Sequence, residues 1–215
     1  EWVRKILMAI YDNKSKSCIK IAKFLNDKNP EYIFLQEVYS DTIEDIVKLL
    51  NNNYPFYVFC DKSGLAIFSK KEIKIQYKDI FNNMSLSNYV TNTYNGFLTV
   101  LIPDIKKIFI NVHLSCSFCN NSSQILKIKN YCDKFLDKDY EIIILGDFNI
   151  DIINFPLIND IFEFSNTPNN NCTYHHVIKS CLDYGFKINN SENLILIPRV
   201  FERYESDHYP IMINL

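Results

Sequence analysis

Short apolar runs of strand length recur along the chain, at Lys5–Ile10, Tyr32–Leu35, Tyr57–Phe59, Leu65–Phe68, Ile73–Tyr77, Phe97–Ile102, Ile108–His113, Glu141–Leu145, Leu182–Ile188 and Pro210–Asn214. Most are apolar at consecutive rather than alternate positions, which predicts strands buried on both faces. Three segments between them carry apolar residues at helical spacing. Over Ser17–Asn26, the residues Ile19, Ala22, Phe24 and Leu25 gather on one stripe, with Ser15 or Ser17 as N-cap. Over Asp41–Leu50, with Asp41 as cap, Ile43, Ile46, Val47 and Leu50 fall at i, i+3, i+4 and i+7. The third segment is Ser123–Leu136. The order, βαβα and then hairpins, predicts a mixed sheet or paired sheets with helices outside. The Asn-rich stretches Phe81–Asn95 and Ser165–His176 lack periodicity and read as long loops, the kind that carry function in a compact domain.

At 215 residues, 47% hydrophobic and 22% charged, with no repeat and no Ser/Gly/Pro-rich linker, the chain reads as one domain over residues 1–215. Only 4 Gly and 7 Pro beside 14% aromatics exclude collagen-like and disordered classes. No apolar stretch reaches the roughly 18 residues of a membrane span, and no secretory leader pattern follows Glu1. Seven cysteines, an odd number in a chain large enough to need no staples, fit a reducing intracellular compartment, nuclear or cytoplasmic. A net charge of −2 supplies no general attraction for a polyanion, so any nucleic-acid contact has to come from a local patch. Asn-X-Ser/Thr triplets at Asn121 and Asn171 follow from the high Asn content.

Candidate chemistry sits at the ends of the apolar runs. Tyr32–Leu35 ends in Gln36-Glu37, Ile142–Leu145 in Gly146-Asp147-Phe148-Asn149, and Ile108–Val112 in His113, while Ser206-Asp207-His208 precedes the last run. One such carboxylate only marks where a strand turns outward. Four ends bearing Glu, His, Asp-x-Asn and Asp-His suggest convergence at one sheet edge, where ligand sites of open α/β sheets lie. Carboxylates and amides with water suit a hard divalent cation such as Mg²⁺, and a histidine beside a carboxylate suits acid, base or phosphate-donor work.

These residues resemble the endonuclease/exonuclease/phosphatase superfamily, which includes deoxyribonuclease I, apurinic endonucleases, type-2 tyrosyl-DNA phosphodiesterases, deadenylases and neutral sphingomyelinases. The matches run in the family's order: Pro30-Glu31-Tyr32-Ile33-Phe34-Leu35-Gln36-Glu37-Val38, Gly64-Leu65-Ala66-Ile67-Phe68-Ser69-Lys70, Asn111-Val112-His113-Leu114, Gly146-Asp147-Phe148-Asn149, Leu182-Asp183-Tyr184 and Ser206-Asp207-His208-Tyr209-Pro210. The resemblance implies an α/β fold of two packed, mostly antiparallel sheets flanked by helices, the four-layer sandwich of deoxyribonuclease I. It implies a Mg²⁺-dependent phosphodiesterase, with Mn²⁺ as a substitute, that acts as a monomer on nucleic acid, on DNA rather than RNA, and not on membranes. Glu37 is then the metal ligand, with Asp207 completing its neighbourhood. Asp147 orients or deprotonates the attacking water, and Asn149 contacts the phosphate. His208 is the imidazole held by Asp183, His113 is the second histidine, and Ser69 and Tyr174 are substrate contacts. Where the family ends its first strand in Asn, this chain reads Tyr11-Asp12-Asn13. Asn13 is the candidate for that role, although it stands closer to Glu37 than the family's spacing.

Within the family, Ile33–Val38 and Asn111–Leu114 are most similar to type-2 tyrosyl-DNA phosphodiesterases, which implies a 5′-tyrosyl-DNA substrate. A retroelement-type or abasic-site endonuclease remains open, as does a catalytically silent relative that binds nucleic acid or protein. Cys116-Ser117-Phe118-Cys119 with Cys172, His175, His176 and Cys181 could form a zinc site, but the second half lacks regular spacing. Tyr89, Tyr94, Phe97, Phe118 and Tyr174 could stack on bases, though packing onto the core is the better explanation of each, and Lys14, Lys16, Lys70, Lys71, Arg199 and Arg203 could contact phosphates, which a solvated surface explains equally well.

Overall fold

The computed structural model describes residues 14–38, 40–81, 95–115, 118–136, 138–151, 154–166, 174–175, 179–197, 199–201 and 211–213. They fold into four layers. The helices α1 (Lys14–Lys28) and α2 (Ser40–Leu50) cover a three-stranded antiparallel sheet of β1 (Tyr32–Leu35), β2 (Phe56–Cys60) and β3 (Leu65–Ser69), in the order β1-β3-β2. Its other face packs on a six-stranded sheet built from β4 (Lys74–Ile80), β5 (Gly96–Ile102), β6 (Lys107–His113), β7 (Glu141–Asp147), β10 (Asp183–Ile188) and β11 (Asn193–Leu196). There the order is β11-β10-β7-β6-β5-β4, antiparallel throughout except for the β6–β7 pair. That parallel pair needs a crossover, which α3 (Phe118–Leu136) supplies. Along its outer face lie α3 and α4 (Pro156–Phe162). Two short pairs, β8 (Tyr174–His175) with β9 (Lys179–Ser180) and β12 (Arg199–Val200) with β13 (Ile211–Met212), complete the described chain.

Alternation along each strand sorts side chains between three cores. On β1 and β3, Ile33, Leu35, Ala66 and Phe68 meet Ile21, Ala22, Leu25, Ile43, Ile46 and Leu50 of α1 and α2. Leu65 and Ile67 turn the other way, onto Leu98, Val100, Phe109 and Ile143 of the large sheet. Ile108, Ile110, Val112, Ile142, Ile144 and Phe186 face outward onto Ile125, Ile128, Ile158 and Phe162 of α3 and α4. Both faces of the central strands are thus covered, as their continuous apolar runs predicted.

The differences from expectation have local causes. α1 starts at Lys14, so Ser15 and Ser17 lie inside it rather than capping it, and its buried stripe is Ile21, Ala22 and Leu25 while Ile19 is 52% exposed. α3 begins at Phe118, ahead of the predicted Ser123. α4 has too few residues to show a period, and it ends on Glu163 in a left-handed conformation without the glycine that would mark its C-cap. β11 follows a turn in which Asn189 Oδ1 accepts from the Ser191 and Glu192 N–H groups. Lys5–Ile10 lies outside the described residues. Asn121 is buried in α3. Among the described residues no helix is long and apolar enough to cross a membrane.

One end of the inter-sheet face carries a charge cluster. Glu141 receives Lys107 Nζ and Lys187 Nζ, each at 2.7 Å, with the three side chains about a quarter to a third exposed. Burial pushes the Glu141 carboxyl up, but the two lysines outweigh it and hold it below its ordinary value of 4.5. Because the folded value is the lower one, this contribution is present above pH 4.5 and is lost as pH falls through the folded value. Glu141→Gln should lower stability at pH 7 by about 1 kcal/mol, and its urea midpoint should fall less than that of the wild type on acidification from pH 6 to pH 3.

Candidate active site between the sheets

β6 and β7 are parallel, so their last residues, His113 and Asp147, are register partners at one edge. β10 runs antiparallel to β7, so its first residue, Asp183, arrives opposite Asp147. All three occupy the alternate positions that face the small sheet, in line with Phe109, Ile143 and Gly185. Glu37 comes from the small sheet, just past the end of β1. His113 Nε2 lies 4.0 Å from Glu37 Oε1 and 3.9 Å from Asp147 Oδ2, and the three side chains are only 7%, 11% and 0% exposed. Two carboxylates from different sheets therefore flank one imidazole.

Local backbone geometry makes this arrangement. Glu37 has φ of 54°, a left-handed conformation that costs a non-glycine residue about 1 kcal/mol or more. The Val38 N–H holds that turn by donating to Gly64 O at 2.8 Å. Gly146, at φ 150°, precedes Asp147; a Cβ there would collide with the Val112 carbonyl, so only glycine lets β6 and β7 approach here. Beyond β7, Asp147 Oδ1 accepts the Asn149 N–H at 2.8 Å, Asn149 Nδ2 donates to Leu114 O at 2.7 Å, and the Leu114 N–H donates to Asp147 O at 2.9 Å. Asn149, itself at φ 50°, thus fixes the loop that presents Asp147. The Tyr184 hydroxyl is shared between Cys181 O at 2.8 Å and Ile150 O at 3.0 Å, which ties the chain before Asp183 to the chain after Asn149. Burial pushes this phenol well above its ordinary pKa, so it stays a neutral donor.

A polar bridge lies just behind the carboxylates. Asn111, on β6, donates through Nδ2 to Leu35 O at 2.9 Å and Ala66 O at 3.0 Å, and accepts Gln36 Nε2 at 2.5 Å. The two carbonyl acceptors fix which end of the Asn111 amide is nitrogen, and this in turn fixes Gln36. Gln36, Asn111 and Tyr184 lie in the motifs read from the sequence, but that reading gave them no role. One signal for Asn111 was available: a polar residue inside a run read as buried must find partners.

The other expected site residues divide. Ser69 is not brought to this edge: it pairs with Tyr32 at the far end of β1, and its buried hydroxyl bonds the Lys71 backbone in a local turn. Lys70 and Lys71 are at that end too, on Asn29 and Glu31. Phe97 is core. Tyr174 lies on the hairpin that leads into β10. Asn13, Asp207 and His208 lie outside the described residues, as do Cys116, Cys172 and His176. Just after β13, Ile213 occupies the space over Gly185, two residues along from Asp183.

Among the described residues no group of three or more His, Cys, Asp or Glu is arranged to hold a metal. The donor chemistry nevertheless fits hydrated Mg²⁺, which is held by one or two carboxylates and keeps several waters. Glu37 would supply a hard oxygen, and the Asp147 carboxylate at the same edge suits a water of the ion's shell.

A model of the Endonuclease/Exonuclease/phosphatase family matches residues 18–184, a span that holds Glu37, His113, Asp147, Asn149 and Asp183. The chain belongs to this family. Solved structures share its fold. A beta toxin from Staphylococcus aureus is 17% identical, with a TM-score of 0.71 over 92% of this chain and 91% of that one. A truncated TDP2 from Caenorhabditis elegans is 18% identical, with a TM-score of 0.63 over 94% and 90%. A mutant of the beta toxin with bound magnesium ions is 16% identical, with a TM-score of 0.71 over 98% and 95%. Among curated proteins, no sequence matches the chain. The nuclease and phosphatase family and the paired-sheet sandwich are therefore as the sequence motifs implied. The Tyr184 tie yields a prediction: Tyr184→Phe leaves two buried carbonyls without their donor and should cost about 1–2 kcal/mol, read as a lower urea midpoint with an unchanged m-value.

Proposed function

We propose that this family member is a Mg²⁺-dependent phosphodiesterase acting on nucleic acid, with 5′-phosphotyrosyl DNA as its foremost substrate. The observation that carries the reading is the placing of Glu37 and Asp147, from two different sheets, within 4.0 Å of His113 Nε2. The likeness in fold to TDP2 and to a magnesium-bound beta toxin supports it. Glu37, with Asp207 and Asn13, would hold the metal. A bound Mg²⁺ would neutralise charge on the phosphate oxygens. Asp147, buried and fixed by the Asn149 N–H, orients the attacking water and takes its proton. His113 holds a proton at Nε2 between the two carboxylates, where it steadies the scissile phosphate or protonates the leaving oxygen. His208, oriented by Asp183, contacts the phosphate, and Asn149 and Tyr174 supply further substrate contacts. Positioning and charge stabilisation then do most of the catalysis. The same reading takes residues 1–215 as one catalytic domain, active as a monomer in a reducing compartment.

The test is a hydrolysis panel with Mg²⁺ on 5′-phosphotyrosyl DNA, abasic duplex, plain DNA and poly(A). Asp147→Asn should lower the rate on the preferred substrate by on the order of 10²–10⁴-fold with an unchanged melting temperature. Equal rates for wild type and Asp147→Asn would overturn the assignment. Nucleic-acid binding without cleavage by the wild type would favour the silent binding relative.

A further inference from the structure

We infer that Asn111, acting with Gln36, positions Glu37 against the opposite sheet and so sets how tightly the site holds a divalent cation. The inference rests on Glu37 being a metal ligand. Asn111 belongs to the large sheet, two residues before His113 on the same face of β6. Its three hydrogen bonds all cross the gap between the sheets. Two end on Leu35 and Ala66, which are register partners at the last rung of the β1–β3 ladder, and the third comes from Gln36, the residue before Glu37. Both side chains are fully buried.

Apolar contact between the sheets, as of Ile67 with Val100 and Phe109, is non-directional and by itself tolerates small slips. Hydrogen bonds do not, because they weaken steeply with misalignment. Asn111 therefore converts a sliding interface into a fixed one at the rung from which Glu37 departs. Metal sites feel such a slip: Mg²⁺ demands near-ideal octahedral geometry, and partners that orient ligands are worth roughly 10–100-fold in metal affinity or activity. Asn111 and Gln36 are positioning residues, acting through Glu37 rather than on the reacting atoms.

The test is a Mn²⁺ titration of the apo protein without substrate, read by electron paramagnetic resonance of the free ion well below the melting temperature. The double variant Gln36→Leu/Asn111→Leu removes both ends of the side-chain bond and leaves the Leu35 and Ala66 carbonyls without the Asn111 amide, a cost of about 1–3 kcal/mol. It should stay folded and bind Mn²⁺ about tenfold or more weakly. Gln36→Met, which removes one bond, should bind a few-fold more weakly and carries the test if the double variant does not fold. Ile158→Val, in the outer core, loses stability of about 1 kcal/mol and should bind as the wild type does, which separates positioning from a general loss of structure. Wild-type affinity in the folded double variant, or in Gln36→Met where that variant carries the test, would overturn the inference. A wild type that binds no Mn²⁺, or a Glu37→Gln variant that binds as tightly as the wild type, would overturn the metal reading and this inference with it.

Discussion

Two sheets packed through aliphatic and aromatic side chains have no reason, from those contacts alone, to stop at one relative position. In this protein the Asn111 carboxamide supplies the stop, through hydrogen bonds to the Leu35 and Ala66 carbonyls and from the Gln36 amide. Everything at the functional edge inherits that constraint. Glu37 belongs to one sheet and His113 and Asp147 to the other, so the distances of 4.0 and 3.9 Å between them are set by how the sheets are locked. A buried amide without partners would cost a few kcal/mol; fully bonded, it specifies one arrangement instead.

Strand direction explains why chemistry collects at this edge. The parallel β6–β7 pair puts two C-termini side by side, and the antiparallel β10 brings its N-terminus to the same place. At the opposite end of the same face, Glu141 is neutralised by Lys107 and Lys187. The acids at the functional edge gather around a single described imidazole instead, and a divalent cation would offset their repulsion. The left-handed backbone at Glu37 and the collision that excludes any residue but glycine at 146 belong to this edge as well.

Most of this organisation was legible in the chain. Tyr32–Leu35 ends where its apolar run ends, and the acids follow directly because a buried strand admits a carboxylate only where it leaves the core. What the order of runs did not reveal was that Gln36-Glu37 and His113 sit on different sheets, since the pattern of a buried strand is the same in either sheet. Ser69, expected as a substrate contact, stands elsewhere because β3 runs antiparallel to β1 and carries it to the other end. Ile19 faces solvent because the α1 stripe is set by contact with β1 and β3, which no helical period specifies. The roles of Asn111, Gln36 and Tyr184 depend on partners distant in sequence, which no local pattern encodes.

The central claim is that carboxylates from two locked sheets share one cation-binding mouth. Anomalous diffraction from crystals grown with Mn²⁺ tests it most directly. The account predicts a strong peak about 2 Å from a Glu37 oxygen, with Asp147 and His113 in the surrounding shell and the Gln36–Asn111 bridge intact behind it. A peak elsewhere on the protein, or Glu37 and Asp147 turned apart with no metal between the sheets, would contradict it.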